Sequence, residues 1–160
     1  MIHIRIKWVV IMWCKVKSYK VIGINLEQVW QVWSDVTNWH IWQKDIKSAT
    51  IDGLFITGSQ IKLKLQDDSI ITMSLTEVKP YERFMDLTKF FLARMYATHE
   101  FIIDGDILEF RDTFKIYGIL GFFWRKLILE KVIDSDQEQT VGLIKRVIEL
   151  HQVGEVKHVK

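Results

Sequence analysis

The sequence predicts an α+β domain: a curved antiparallel sheet wrapped around a long C-terminal helix, with two short helices after the first strand. Three observations carry that expectation. Apolar and polar residues alternate in short runs separated by turn residues, the mark of hairpin-connected strands. Two short helical patterns follow the first of these runs, and one long helical pattern closes the chain. A sheet with one apolar face has to cover it, and the terminal helix is the element available to do so.

Residues 2 to 22 hold no Gly, Pro, Asn or Asp to ask for a turn. Ile2, Ile4, Ile6 and Trp8 alternate with His3, Arg5 and Lys7. One strand through Ile22 would be about 66 Å long at roughly 3.3 Å per residue, whereas a domain of this size is about 40 Å across. The part from about Met12 to Gly23 is therefore assigned to the sheet. Residues 1–11 are read as an extension, loosely packed or pairing with a second copy along an exposed strand edge as a homodimer. The domain proper is 12–152, followed by a tail of 153–160.

Asn25 is a suitable helix cap, with Gln28 as its reciprocal capping-box partner. Leu26, Val29, Trp30 and Trp33 follow at helical spacing, and the helix should stop near Ser34–Asp35. Asn38–Trp42 reads as a second short helical turn. Gly53 and Thr57-Gly58 mark turns among the strands that come next. Ile61, Leu63 and Leu65 alternate with Lys62, Lys64 and Gln66, and Ile71, Met73 and Leu75 alternate with Thr72, Ser74 and Thr76. The lysines read as a solvated face. Lys79-Pro80-Tyr81-Glu82 suits a type I turn. Strands are expected over Arg83–Phe91, Arg94–Ile103 and Ile107–Tyr117, with Asp104-Gly105 as a two-residue hairpin turn. A helix is expected from Leu120 to about Gln152. Ser135 and Glu138 have capping-box spacing, which leaves a break near Asp134–Asp136 as the alternative.

Composition excludes several function classes. Of 160 residues, 22 are Lys or Arg and 20 Asp or Glu, so the net charge of +2 gives no broad basic field for nucleic acid. Cys14 is the single cysteine, which rules out an internal disulfide and fits the cytoplasm. No apolar run approaches the roughly 18 residues of a membrane span. His151 and His158 have no ligand-spaced partner for a metal, and neither a phosphate-binding glycine loop nor a GxSxG nucleophile is present. Nothing asks for a cofactor. The aromatic share is high, with seven Trp and nine Phe, and such rings fill cores or line pockets for apolar ligands.

The run Val29-Trp30-Gln31-Val32-Trp33-Ser34-Asp35-Val36-Thr37-Asn38-Trp39-His40-Ile41-Trp42 resembles a segment of polyketide cyclase/dehydrase-like proteins of the START-like (SRPBCC) superfamily. The resemblance continues through Ile51–Phe55, Gly58-Ser59, Pro80 with Arg83-Phe84, His99-Glu100-Phe101, Gly118–Gly121 and Leu143–Arg146. It covers roughly residues 12 to 150. It implies a helix-grip fold with a deep apolar cavity, on a scaffold that carries lipids, binds hormones or cyclises polyketides.

His99 and Asp112 are the chemically interesting pair. An Asp104-Gly105 turn would set His99 opposite Phe110, with Asp112 a diagonal neighbour on the same apolar face. The plain reading is a satisfied buried pair that braces the sheet. The functional readings are contact with a ligand's polar end or, less simply, acid–base work. Trp39 and Trp42 are candidates to close one end of the cavity, with ordinary helix packing as the plain alternative. Met73, Phe101, Phe110, Phe123 and Leu127 complete the candidate ligand lining, although Phe122, Phe123 and Trp124 equally suit the core. The favoured function is binding of a small hydrophobic molecule (lipid, isoprenoid or aromatic) as a carrier or sensor. The rivals are a cyclase or dehydrase using His99 and Asp112, and an interaction module without a ligand.

Overall fold

The computed structural model describes the backbone of residues 13–156 and, within that span, the side chains outside 128–134, 136 and 152–156. The expected extension Met1–Ile11, and His158, lie outside the described residues. Among the described residues seven strands form one antiparallel sheet: β1 (Trp13–Ile22), β2 (Ile46–Ile51), β3 (Gln60–Leu65), β4 (Ile70–Lys79), β5 (Arg83–Phe90), β6 (Ala93–Asp104) and β7 (Ile107–Tyr117). The order is β1-β7-β6-β5-β4-β3-β2, so β1 and β2 are its edges.

Two irregularities curl the sheet. The β2–β3 register slips between Ile46 and Ser48, and the β4–β5 register slips between Leu75 and Glu77. Each inserts one extra residue, which bends the strand and increases its twist. The second also changes which residues of β4 face inward. Ile71, Met73 and Leu75 do so before the bulge and Val78 after it, all packed in one core.

Two turns differ from expectation. At Lys79–Glu82 the Glu82 N–H donates to the Lys79 carbonyl at 3.1 Å, but Tyr81 has φ +64°. A positive φ at that position is the type II pattern, not type I. The left-handed conformation costs a non-glycine residue roughly 1–2 kcal/mol, and the Tyr81 ring gains a contact with Trp30, centroids 5.7 Å apart. The β6–β7 turn is Gly105-Asp106 rather than Asp104-Gly105, since Asp104 pairs with Ile107. Gly105, at φ +60°, then takes the first central position. Only that position of such a turn needs a positive φ, so Asp is spared it.

Helix α1 (Leu26–Ser34) begins where Asn25 Oδ1 accepts from the Glu27 N–H at 2.7 Å. The reciprocal capping-box bond is replaced by another contact. Gln28 Nε2 lies 3.3 Å from His151 Nδ1 and joins α1 to the last helix, of which His151 is part. A 3-10 turn (Val36–Asn38) leads into α2 (Trp39–Trp42), where Trp39 Nε1 donates to the Trp33 carbonyl at 2.8 Å. The closing helical segment is α3 (Gly121–Trp124), a π-helical stretch (Arg125–Leu129) and α4 (Glu130–Val156). Helix runs through Asp134–Asp136 without a break, and it continues past Gln152.

Helix α4 seats on α1 and α2 through Leu143 and Val147, both buried in the main core. Gly142 is required there, because a Cβ at that position would stand 2.3 Å from the Trp42 carbonyl oxygen. Among the described residues the buried apolar side chains fall into two clusters. The larger holds Trp30, Trp33, Trp42, Phe84, Phe101 and Phe110 with the helices, and the smaller holds Met95, Ala97, Phe114 and Ile116.

Candidate functional site

The two clusters are divided by a polar row across the inward face of the sheet. Register places Lys17 of β1 opposite Asp112 of β7, Asp112 opposite His99 of β6, and His99 opposite Phe84 of β5. His99 Nδ1 and Asp112 Oδ1 are 2.5 Å apart, and His99 Nε2 lies 3.5 Å from Asp86 Oδ2. Both carboxylate side chains are buried, and the imidazole is 15% exposed. On one side of the row Phe101 pairs with Phe110, and on the other Ala97 pairs with Phe114 and Met95 with Ile116.

Aromatic rings hold the imidazole in place. Phe84 stacks on it with centroids 4.5 Å apart and planes at 25°, and Trp33 stands 5.5 Å away. Trp33 reaches that position because α1 places it one turn after Trp30, so both indoles descend on β5 and β6, and Trp33 also stacks on Phe110 of β7.

Electrostatics decide the charge state of His99. Burial is the largest single influence and works against the cation, but the carboxylates of Asp112 and Asp86 together outweigh it. The net effect pushes the imidazole pKa from 6.5 up to about 10. His99 is thus an imidazolium at neutral pH, clamped between two carboxylates.

Thr88 lies two residues beyond Asp86 on the same inward face of β5, opposite Met95. It is 2% exposed, and its hydroxyl has no hydrogen-bond partner among the described residues. The buried indole N–H of Trp42 has none either.

His99 and Asp112 stand face to face, where the expected register made them diagonal neighbours. The shift of pairing is an even number of residues, so both side chains keep the inward face. Trp39, Trp42, Phe101 and Phe110 are buried in the main core, and Met73 packs at its edge. Phe123 and Leu127 are not with them. They are about half exposed, and Phe122 beside Phe123 is exposed too, so neither phenylalanine is core. Asp86 and Thr88 were missed by sequence reasoning. The signal was available, because alternation from the apolar Phe84 carries residues 86 and 88 to the same face.

No family model matches the chain, and no curated protein matches it in sequence. Its architecture is the helix-grip fold that the Val29–Trp42 resemblance implied. Among solved structures it is similar to norcoclaurine synthase from Thalictrum flavum, in complex with dopamine and hydroxybenzaldehyde. That likeness has a TM-score of 0.68 and 11% identity, over 88% of this chain and 88% of that one. The Zhui aromatase/cyclase from a Streptomyces species is similar at a TM-score of 0.66 and 11% identity, over 85% of this chain and 93% of that one. A conserved protein from Geobacillus kaustophilus reaches a TM-score of 0.65 and 14% identity, over 86% and 96%. At these identities the likeness is one of fold.

Proposed function

We propose that the protein binds a small, mostly hydrophobic molecule (lipid, isoprenoid or aromatic) inside the sheet, as a carrier or sensor. Its polar end would meet Thr88 and the Asp86–His99–Asp112 row, and its apolar body would lie over Met95, Ala97 and Phe114. The observation that supports this most is the Thr88 hydroxyl. A buried polar group without a partner costs about 1–3 kcal/mol, and no described residue pairs with this one. A ligand group hydrogen-bonded there would remove that penalty. Two similar structures are named as a synthase, in complex with dopamine and hydroxybenzaldehyde, and as an aromatase/cyclase, which supports a small-molecule ligand for this chain.

A cyclase- or dehydrase-type reaction at His99 and Asp112 is the second reading, favoured by their direct hydrogen bond. The raised pKa of His99 speaks against it as the general base, while leaving the imidazolium able to donate a proton. A general base works best with a pKa near the working pH, and an imidazole held at about 10 has no free lone pair at pH 7. A cytoplasmic location, resting on the single cysteine, is part of the same proposal. No helix among the described residues is long and apolar enough to cross a membrane.

Thermal melts with a panel of fatty acids, quinones and flavonoids test the proposal. Binding raises the melting temperature by an amount set by ligand concentration over Kd. A shift without turnover supports the carrier or sensor, and a shift with turnover supports the enzyme. No shift with any compound leaves the ligand-free interaction module.

A further inference from the structure

The β5–β6 turn and the segment after β7 together form an apolar tip. Phe91 and Leu92 make the turn and are 72% and 54% exposed. Ile119, Phe122, Phe123 and Leu127 are also half exposed or more. The two segments are tied together. Trp124 stacks on Phe90 with centroids 5.0 Å apart, and its Nε1 donates to the Phe91 carbonyl at 2.9 Å. Gly118 packs so closely on Leu92 that a Cβ there would stand 2.4 Å from its carbonyl oxygen. These contacts hold the large side chains outward on a fixed platform.

The tip is also cationic. Within residues 89–94 and 118–127 stand Lys89, Arg94, Arg125 and Lys126, and no Asp or Glu. Four positive charges in that small region exceed the net +2 of the whole chain. The Arg125 guanidinium lies 5.3 Å from the Phe122 ring centroid, so charge and apolar surface are interleaved.

We propose that this tip docks on the surface of an anionic lipid bilayer, its phenylalanine and leucine side chains entering the interface and its basic residues meeting lipid headgroups. A second copy of the chain is the poorer occupant, since self-pairing sets four positive charges against four. Large aliphatic and aromatic side chains beside Lys and Arg are what an anionic interface accommodates. This is peripheral docking and involves no membrane span. It stands independently of the proposed interior ligand.

Co-sedimentation with vesicles tests it, comparing phosphatidylcholine alone with phosphatidylcholine containing phosphatidylserine. The protein should pellet with the anionic vesicles and be released by salt. The pair Phe91→Ser with Phe122→Ser should weaken partitioning by about tenfold or more, as removal of two exposed rings implies. The pair Arg94→Glu with Lys126→Glu, which leaves the apolar surface intact, should abolish the preference for anionic vesicles. Failure of the native chain to pellet, or equal pelleting by all variants, would overturn the proposal. So would concentration-dependent dimers that Phe91→Ser disperses, because they would assign the tip to a second copy.

Discussion

Asp112 stands directly opposite His99 across β6 and β7, and their side chains meet at 2.5 Å inside the sheet. With Asp86 on the other side of the ring, the imidazole pKa is raised from 6.5 to about 10. Stability from a raised pKa is fully present below the unfolded value and is lost as pH rises through the folded one. Stability should therefore fall by on the order of a few kcal/mol between about pH 6.5 and pH 10. Nitrogen chemical shifts of the ring should report an imidazolium at pH 8. A ring titrating near 6.5 would refute the ion cluster.

Removing one carboxylate should be costly in proportion to its proximity. Asp112→Asn takes away the closer partner and is expected to destabilise by about 3 kcal/mol, in the range for broken buried pairs. Asp86→Asn, at 3.5 Å, should cost less. Urea denaturation of both variants checks the order. The Asp112 variant should also show a lowered His99 pKa, a readout that lost packing alone would not produce.

Gly142 gives a test of how α4 is seated. In an exposed helix Gly→Ala gains about 1 kcal/mol of helix propensity. Here the new Cβ would stand 2.3 Å from the Trp42 carbonyl oxygen, with backbone on both sides of the contact. Overpacking of that kind costs about 1–3 kcal/mol, so Gly142→Ala should lower the melting temperature. A rise would mean that α4 does not approach α2 so closely.

The segment before β1 is expected to be dispensable. We propose that residues 1–11 lie outside the domain, and the strand that follows them, β1, is an edge of the sheet where a second chain could pair. A chain starting at Met12 should melt at the same temperature in a calorimeter. A loss of several kcal/mol would place the segment in the core.

Much of this fold is legible in the sequence because its alternation is clean. Phe110, Asp112 and Phe114 share a face whatever the turn, so the inward placement of His99 and Asp112 survived an incorrect hairpin register. The register itself was not legible, since Asp104-Gly105 and Gly105-Asp106 are both acceptable two-residue turns. Tyr81 shows the same limit, because its positive φ accompanies a ring contact with Trp30 that lies 51 positions away in sequence. Phe123 and Leu127 have the composition of core residues, and only tertiary structure shows that the tip leaves them uncovered.

The interior ligand is the central claim, and Thr88→Val tests it most directly. Valine keeps the shape and removes a hydroxyl that no described residue pairs with, so the unliganded variant should be as stable as the native protein or more so. The thermal shift given by a compound with a hydrogen-bonding end should nevertheless shrink, while that of a purely apolar analogue should not. Titration calorimetry on both proteins is the measurement. Weaker binding beside undiminished stability is the predicted result. Unchanged affinity for every ligand that binds, or a variant that is itself destabilised, would contradict the account.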